Sequence, residues 1–355
     1  MRIPFSLIVF TLACLILFAK CCGGILTHGK WGYINTHGDW VIRPQFNSPP
    51  GQFHSGIASV PGAHGWMFID TKGNPFRALE QLHSGTEPPE ISEGLVLCGT
   101  IKPGREHPTH RGCWLGADSD YTYFDIAGKK VCAPDIVSGG KFSEGLAAVQ
   151  FAKSDTTDRY AMHGYIDRSG NRVINAQFSD AFEFSQGLAK VKTGAKFEGR
   201  DGVGSLQGGK FGFIDKTGQF IIKPQFSTAG SFTESGLATV GRGFIDKTGK
   251  LVVSGHFFDA GDLVNGVAPA ELDNKYGFID ISGKWVQQPK WDHAESFSEG
   301  LAGVGTETGQ FEDEVSKDWP ISKWGFVDRN FKLTIPQKFL AVGPFSEGLA
   351  AACAD

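Results

Sequence analysis

Hydrophobic positions in this chain come in short bursts, with no long face of helical period. Bursts such as Lys275-Tyr276-Gly277-Phe278-Ile279-Asp280 and Phe220-Ile221-Ile222 are aromatic and β-branched and are bounded by turn residues. Such segments predict strands. A burst ending in Asp is followed three residues later by Gly, at Asp70/Gly73, Asp125/Gly128, Asp167/Gly170, Asp215/Gly218, Asp246/Gly249 and Asp280/Gly283; Asn35/Gly38 is a variant, and after Asp328 the Gly is missing. Asp at the start of a turn accepts backbone N–H groups and Gly supplies positive φ, so Asp70, Asp167, Asp215, Asp246 and Asp280 read as structural turn residues joining two strands.

A second landmark is the Gly of Ser-Glu-Gly-Leu-Ala, at Gly56, Gly94, Gly145, Gly187, Gly236, Gly266, Gly300 and Gly348, each followed by an aliphatic residue. It opens a third strand. Between the two landmarks an aromatic recurs, as at Phe46, Phe226, Trp291 and Phe339, often just past a Pro such as Pro44, Pro224 or Pro289. Pro is expected to stop the second strand there, and the aromatic to plug a core.

Spacing separates fold from variation. From the Asp (or Asn) to the later Gly the interval is 20 or 21 residues in seven copies and 24 in the copy of Asp70. From that Gly to the next Asp it runs from 10 to 31 residues. The shortest case, Leu237 to Ile245, has room for a tight turn alone, so the Gly-Leu-Ala strand should pair antiparallel with the next hairpin. The chain is therefore expected to be all-β, an eight-copy repeat of three-stranded antiparallel meanders. Its insertions, at about 96–122, 150–163, 192–209 and 305–322, enter at one junction of the repeat. The first hairpin, Lys30 to Ile42, lacks a preceding Gly-Leu-Ala strand and the last such strand, Gly348 to Cys353, lacks a following hairpin. Each end offers what the other needs, which favours a closed or nearly closed propeller-like ring over an open β-solenoid.

Composition adds detail. Among 355 residues, 48 Gly and 29 Phe suit many turns with bulky cores, and a net charge of -4 without a basic stripe gives no sign of nucleic-acid binding. Residues 1–22, a charged start followed by the uncharged run Ile3 to Ala19, read as a secretory signal or signal anchor, leaving 23–355 as one repeat domain. An exported protein of the periplasm, cell surface or medium is expected. Lys20 before Cys21 departs from a lipoprotein signal, so a lipid anchor stays an alternative. In an oxidising compartment Cys98 and Cys113, which bracket one insertion, are the candidate disulfide, whereas Cys132 and Cys353 read as buried thiols.

Lys30-Trp31-Gly32-Tyr33-Ile34-Asn35, Lys323-Trp324-Gly325-Phe326-Val327-Asp328 and the Phe-Ser-Glu-Gly-Leu-Ala runs ending at Ala147, Ala302 and Ala350 resemble the WG-repeat (KWG-repeat) proteins of bacteria. The resemblance covers nearly all the chain after the signal. It implies a β-rich repeat scaffold, exported or attached to other modules, with no general chemistry attached.

No catalytic, cofactor or metal residues emerge. The repeated Asp residues are explained by turns; Gly145, Gly187, Gly300 and Gly348 are structural; and Glu144, Glu299 and Glu347 are expected to bond their own turn backbone. His107, His110 and Cys113 match no standard zinc spacing. The reading that follows is a non-catalytic exported binding or scaffold protein that presents insertion loops to a protein or cell-envelope component. The alternative is a repeat protein that binds cell-wall glycan through its aromatics, although these read as core. A ring-shaped glycosidase would need acids gathered away from turns, and none are found.

Overall fold

The computed structural model describes residues 29–62, 65–79, 89–101, 119–132, 136–151, 162–200, 203–255, 257, 259–311 and 320–354. The N-terminal segment read as a signal or anchor, and Cys113 with the two insertion histidines, lie outside the described residues. Within them every regular element is a β-strand apart from a single 3-10 turn, Arg77–Leu79.

Seven sheets of three or four antiparallel strands, here A to G, and one two-stranded hairpin make up the described chain. Sheet A joins Trp40–Phe46, Lys30–Asn35, Leu349–Ala354 and Ala341–Val342. The hairpin, Ile57–Gly62 with Gly65–Asp70, follows. Sheet B holds Glu90–Ser92, Leu95–Ile101, Ser119–Asp125 and Lys130–Cys132, and sheet C holds Ile136–Ser143, Leu146–Phe151, His163–Asp167 and Arg172–Phe178. Sheet D comprises Asp180–Ser185, Leu188–Arg200, Val203–Ile214 and Phe220–Phe226; sheet E has only Leu237–Val240, Gly243–Asp246 and Leu251–Ser254. Sheet F is Asp259–Ala260, Val267–Leu272, Lys275–Asp280 and Trp285–Trp291, and sheet G is His293–Ala294, Ala302–Phe311, Pro320–Val327 and Leu333–Phe339. The sheets stand in a ring as propeller blades. Like blades do not close it, because only the two-stranded hairpin stands between A and B.

The unit differs from the expected three-stranded meander. Most sheets carry a further strand ahead of the Ser-Glu-Gly turn, and in F, G and A it is two residues long, as in Asp259–Ala260. Proline does not end the outer strand either. Pro44, Pro224, Pro289 and Pro336 lie inside strands that run on to the aromatic. An outer strand needs no partner for the missing N–H, so proline is tolerated there.

A register shift at this place explains the Gly after the aromatic in Trp-Gly. The bulged outer strand presses on the neighbouring backbone: a Cβ on Gly32 would stand 2.4 Å from the Ile42 carbonyl oxygen, and one on Gly325 would stand 2.4 Å from that of Ile335. Only glycine fits.

Cores form between sheets. The aromatic after that Gly, or after Thr122 in its place, meets the Phe of the next unit: Tyr33 with Phe53 at 4.7 Å, Tyr123 with Phe142 at 4.9 Å, Tyr165 with Phe184 at 5.0 Å, Phe213 with Phe232 at 4.8 Å and Phe326 with Phe345 at 4.8 Å between ring centroids. These rings are almost wholly shielded from water, and burying one contributes about 1.5–3 kcal/mol. Where the residue is Tyr, its hydroxyl donates to the next unit's backbone, at Gly51, Gly140 and Phe182. The Asp-x-x-Gly turns also dock forward to back: a Cβ on Gly218 would touch Ile174 of the preceding sheet at 3.0 Å, and one on Gly249 would touch Ile222 at 3.0 Å. Phe331, which stands where Gly is expected after Asp328, keeps the turn's positive φ of 59° and lays its ring 5.2 Å from Phe278 of sheet F.

Candidate binding surfaces

The strand order places two kinds of turn on one edge of the ring and the strand-lengthening insertions on the other. On the turn edge, each Asp is consumed by its own loop. Asp70 Oδ1 accepts the N–H of Lys72 and of Asn74, both at 2.9 Å; Asp167, Asp215, Asp246 and Asp280 repeat the pattern with the residues two and four positions later. Added side-chain donors, Asn74 at Asp70 and Thr217 at Asp215, are the largest influence holding those two carboxyls below the usual range. Carboxylates saturated by local donors do not converge on a ligand.

The Ser-Glu-Gly turns do something the local reading does not foresee. Their glutamates bond the next turn, not their own. Glu144 accepts the N–H of Gly187 at 3.2 Å through either oxygen, Glu299 accepts those of Glu347 and Gly348 at 2.8 and 2.9 Å, and Glu93 accepts that of Gly145 at 3.3 Å. The serines reach forward too: Ser143 Oγ donates to the Phe184 carbonyl and Ser185 Oγ to that of Phe232, each at 2.6 Å. Gly145, Gly187, Gly300 and Gly348 all have φ between 77° and 84°, the left-handed conformation that points their N–H groups outward. The residue after the turn Asp adds a cation: Lys216 Nζ lies 3.1 Å from Glu144 and Arg168 3.3 Å from Glu93. Burial raises the Glu144 carboxyl, but the Gly187 and Lys216 bonds outweigh it and hold the group below its usual value.

On the opposite edge the second and third strands of several sheets run past the core. In sheet D they stay paired from Ala189↔Ile214 out to Arg200↔Val203. In G the pairing reaches Phe311↔Pro320 and in B Ile101↔Ser119. The outer ends of these strands, between which the number of residues differs from unit to unit, all lie on this edge.

Of the aromatics at the repeat position, Phe211, Tyr276 and Trp324 are half-buried and the others face inward. Trp31, Trp66, Tyr121 and Trp291 are buried, and Trp324 stacks on His293 with centroids 5.3 Å apart. Cys98 is a free thiol on a strand of sheet B, packed with Ile57, Phe68 and Val96, and burial pushes it up to about 12. Cys132 and Cys353 are free thiols as well. Among the described residues no group of three His, Cys, Asp or Glu is placed to hold a metal ion.

Two acids outside the turns escaped the sequence reading. Glu295 occupies the place that is Gly51, Gly230, Gly261 or Gly343 in other units, each donating its N–H to the strand beside it. There a Cβ on Gly230 would stand 2.2 Å from Thr239 Oγ1; opposite Glu295 the partner is Gly303, which makes the room. Enclosure raises the Glu295 carboxyl to about 7. Asp262, next to its own unit's Gly261, keeps an exposed surface, yet crowding of its carboxyl by neighbouring groups raises it against the attraction of Lys190. Neither belongs to a recurring motif, so only the exchange of small and large partners across two strands could have signalled Glu295.

The repeat is matched by the family model described as WG containing repeat at residues 31–60, 164–197, 211–241, 243–276, 276–306 and 324–355, together more than half of the chain. The chain belongs to the WG-repeat family. The matched segments of this WG-repeat protein run from the aromatic-Gly strand toward the Gly-Leu-Ala strand, the interval that the spacing marks as constant. No curated protein matches it. Among solved structures, a crystal structure of the eukaryotic initiation factor is similar at 13% identity and TM-score 0.47, covering 86% of this chain and 83% of that one. The tricorn protease is similar at 10% identity and TM-score 0.27, covering 83% of this chain and 36% of that one. Likenesses this distant carry no argument about function.

Proposed function

We propose that this WG-repeat protein is a non-catalytic, exported binding or scaffold protein whose partner, a protein or an envelope component, is engaged by the edge carrying the strand extensions. The observation that supports this is the division of labour between edges. The turn edge spends its polar groups on neighbouring turns, while the opposite edge carries the hairpin of sheet D out to Arg200↔Val203 and is where unit length varies. Rigid scaffolds with variable segments on one face are how binding surfaces are built. In the same reading the hairpin Ile57–Asp70 is a reduced eighth unit that completes the ring, since it packs on sheet A through Ala58 and Val60 and on sheet B through Ile57 and Phe68.

A photo-crosslinking residue placed at Lys196 in the sheet D extension, compared with one at Lys247 on the turn edge, tests the proposal. Partner adducts from position 196 alone are expected; adducts from 247 alone, or from neither in the native envelope, would sink it. Titration with cell-wall fragments distinguishes the glycan reading, which requires the tryptophan fluorescence, that of the half-buried Trp40, Trp285 and Trp324 included, to respond.

A further inference from the structure

The outer strand of each sheet faces away from the ring, and in two neighbouring sheets it carries a surface that the others lack. Every outer strand bulges near its start: in sheet D, Ile214 pairs with Phe220 and Phe213 with Ile222, and in sheet E, Ile245 pairs with Leu251 and Phe244 with Val253. A bulge re-aims side chains, and the extra residues, Ile221 and Val252, are 49% and 51% exposed. In other sheets the residue before the extra one is a half-buried tryptophan, as at Trp40 and Trp285, or a cation, as at Lys130 and Arg172. In G an exposed Leu333 stands before the polar Thr334. In D and E that residue is Phe220 or Leu251, so these two alone among the described sheets place two exposed large apolar side chains in succession. The strands adjoin, since the turn before Leu251 sits on sheet D, where a Cβ on Gly249 would stand 3.0 Å from Ile222. Single exposed apolar residues are ordinary, whereas a group rimmed by charge marks an interaction surface.

The charge around this group has one dominant sign. Residues 215–226, 246–255 and 280–291, the outer strands of D, E and F with their turns, hold six lysines against three turn aspartates in a chain of net charge -4. Lys216 is paired with Glu144 and Lys247 donates to the Gln186 carbonyl, but Lys223, Lys250 and Lys284 are exposed. Lys223 follows Ile221 by two residues and Lys250 precedes Val252 by two. These lysines come from separate repeats, so no basic run marks them in the sequence.

The shape and the chemistry together select a partner. The outside of a ring is convex, so a flat partner touches only neighbouring blades, as D and E are. Protein interfaces deplete lysine in their cores and need a complementary surface, and a soluble polyanion has no use for four exposed apolar side chains. Anionic lipid uses both features: headgroups attract lysines, and the boundary with the acyl chains takes up aliphatic and aromatic groups without a matching shape.

We propose that the outer strands of sheets D and E dock on an anionic phospholipid surface, with Phe220, Ile221, Leu251 and Val252 entering the interface and Lys223, Lys250 and Lys284 meeting headgroup phosphates. This rim is neither the turn edge nor the edge of the strand extensions, so it stands or falls apart from the partner proposed there.

The test uses the full chain with vesicles of phosphatidylcholine, alone or mixed with phosphatidylglycerol, read by hydrogen exchange at residues 216–226 and 247–255. Residues 1–22 are common to every arm, so an affinity of their own for lipid does not separate the variants. Slower exchange in both outer strands on the anionic vesicles alone is expected, with Leu237–Val240 unaffected. Lys223→Gln with Lys250→Gln should raise the lipid concentration for half-protection about tenfold or more, each lysine contributing about fivefold. Ile221→Ser with Leu251→Ser, at exposed positions, should raise it about tenfold. The lysine pair carries the test should the serine pair destabilise sheet E. Equal protection on neutral vesicles, no protection on either, or protection that the serine pair leaves unchanged would overturn the proposal. So would equal protection by inorganic polyphosphate, or a dimer formed through Leu251 without lipid.

Discussion

Glu347 Oε2 accepts the N–H of Gly56 at 2.8 Å across 291 residues of sequence. The neighbouring Ser346 Oγ donates to the Phe53 carbonyl at 2.6 Å, so the last Ser-Glu-Gly turn reaches the first by the same two bonds that link turns elsewhere in the chain. One expectation is that these bonds hold sheets to one another and not merely turns to themselves. Glu299→Ala removes the acceptor for two N–H groups, those of Glu347 and Gly348. Because water can replace it, the loss should be modest, about 1 kcal/mol, read as a lower urea midpoint with unchanged slope. No change in midpoint would mean that the bonds are incidental.

The first and last described strands pair in sheet A, with Lys30 opposite Ala354 and Tyr33 opposite Ala351. Directly opposed residues in antiparallel strands have Cβ atoms about 4.5–5.5 Å apart, near the reach of a disulfide. Lys30→Cys combined with Ala354→Cys should oxidise within one molecule and raise the melting temperature. Dimers, or two persistent free thiols beyond the native ones, would contradict the pairing of the ends.

Glycines on the same edge should differ in tolerance. A Cβ on Gly38, at φ 83°, would stand 2.8 Å from Cγ2 of the fully buried Ile335, whereas one on Gly300, at φ 84°, would meet nothing within 4 Å. Gly300→Ala should cost about 1 kcal/mol for the conformation alone, and Gly38→Ala about 2–3 kcal/mol because the core must also shift. Equal losses by thermal denaturation would remove the docking contact from the account.

Glu295 makes stability depend on pH in a particular direction. Its carboxyl is raised to about 7 in the fold by enclosure, above the ordinary 4.5 of the unfolded chain. As pH climbs from 4.5 to 7 the unfolded chain releases this proton first, so the group lowers stability over that window. Glu295→Gln should therefore match the parent near pH 4.5 and exceed it at pH 8, by about 1–3 kcal/mol in urea denaturation. A constant difference between the two proteins across that range would refute the assignment.

The strands visible in the sequence are those whose residues must satisfy several neighbours at once. Asp246 and Gly249 advertise a turn because no other pair satisfies its loop as cheaply, and the Gly of Trp-Gly recurs because the bulged outer strand leaves no room for a Cβ, as at Gly32. The innermost strand left no such trace. Asp259–Ala260 and His293–Ala294 are two residues long, too short to show alternation, and their pairing is decided by the neighbouring strand. Proline misled for a related reason: Pro224 looks like a stop, yet on an outer strand the missing donor costs nothing. The Glu bonds between turns could not be read because a local and a forward bond need the same residue, and Phe331 could not because its positive φ is compensated by aromatic contacts from another sheet.

The placement of Leu349–Ala354 beside Lys30–Asn35 bears on how the protein is made as well as how it stands. Until the ribosome releases the last six residues of sheet A, the first hairpin has an open inner edge whose Trp31, Tyr33 and Ile34 are destined for burial. A nascent or truncated chain thus offers a template for strand addition by another copy. Degradation signals, tags or stalls acting near residue 349 should be felt first as aggregation through residues 30–35.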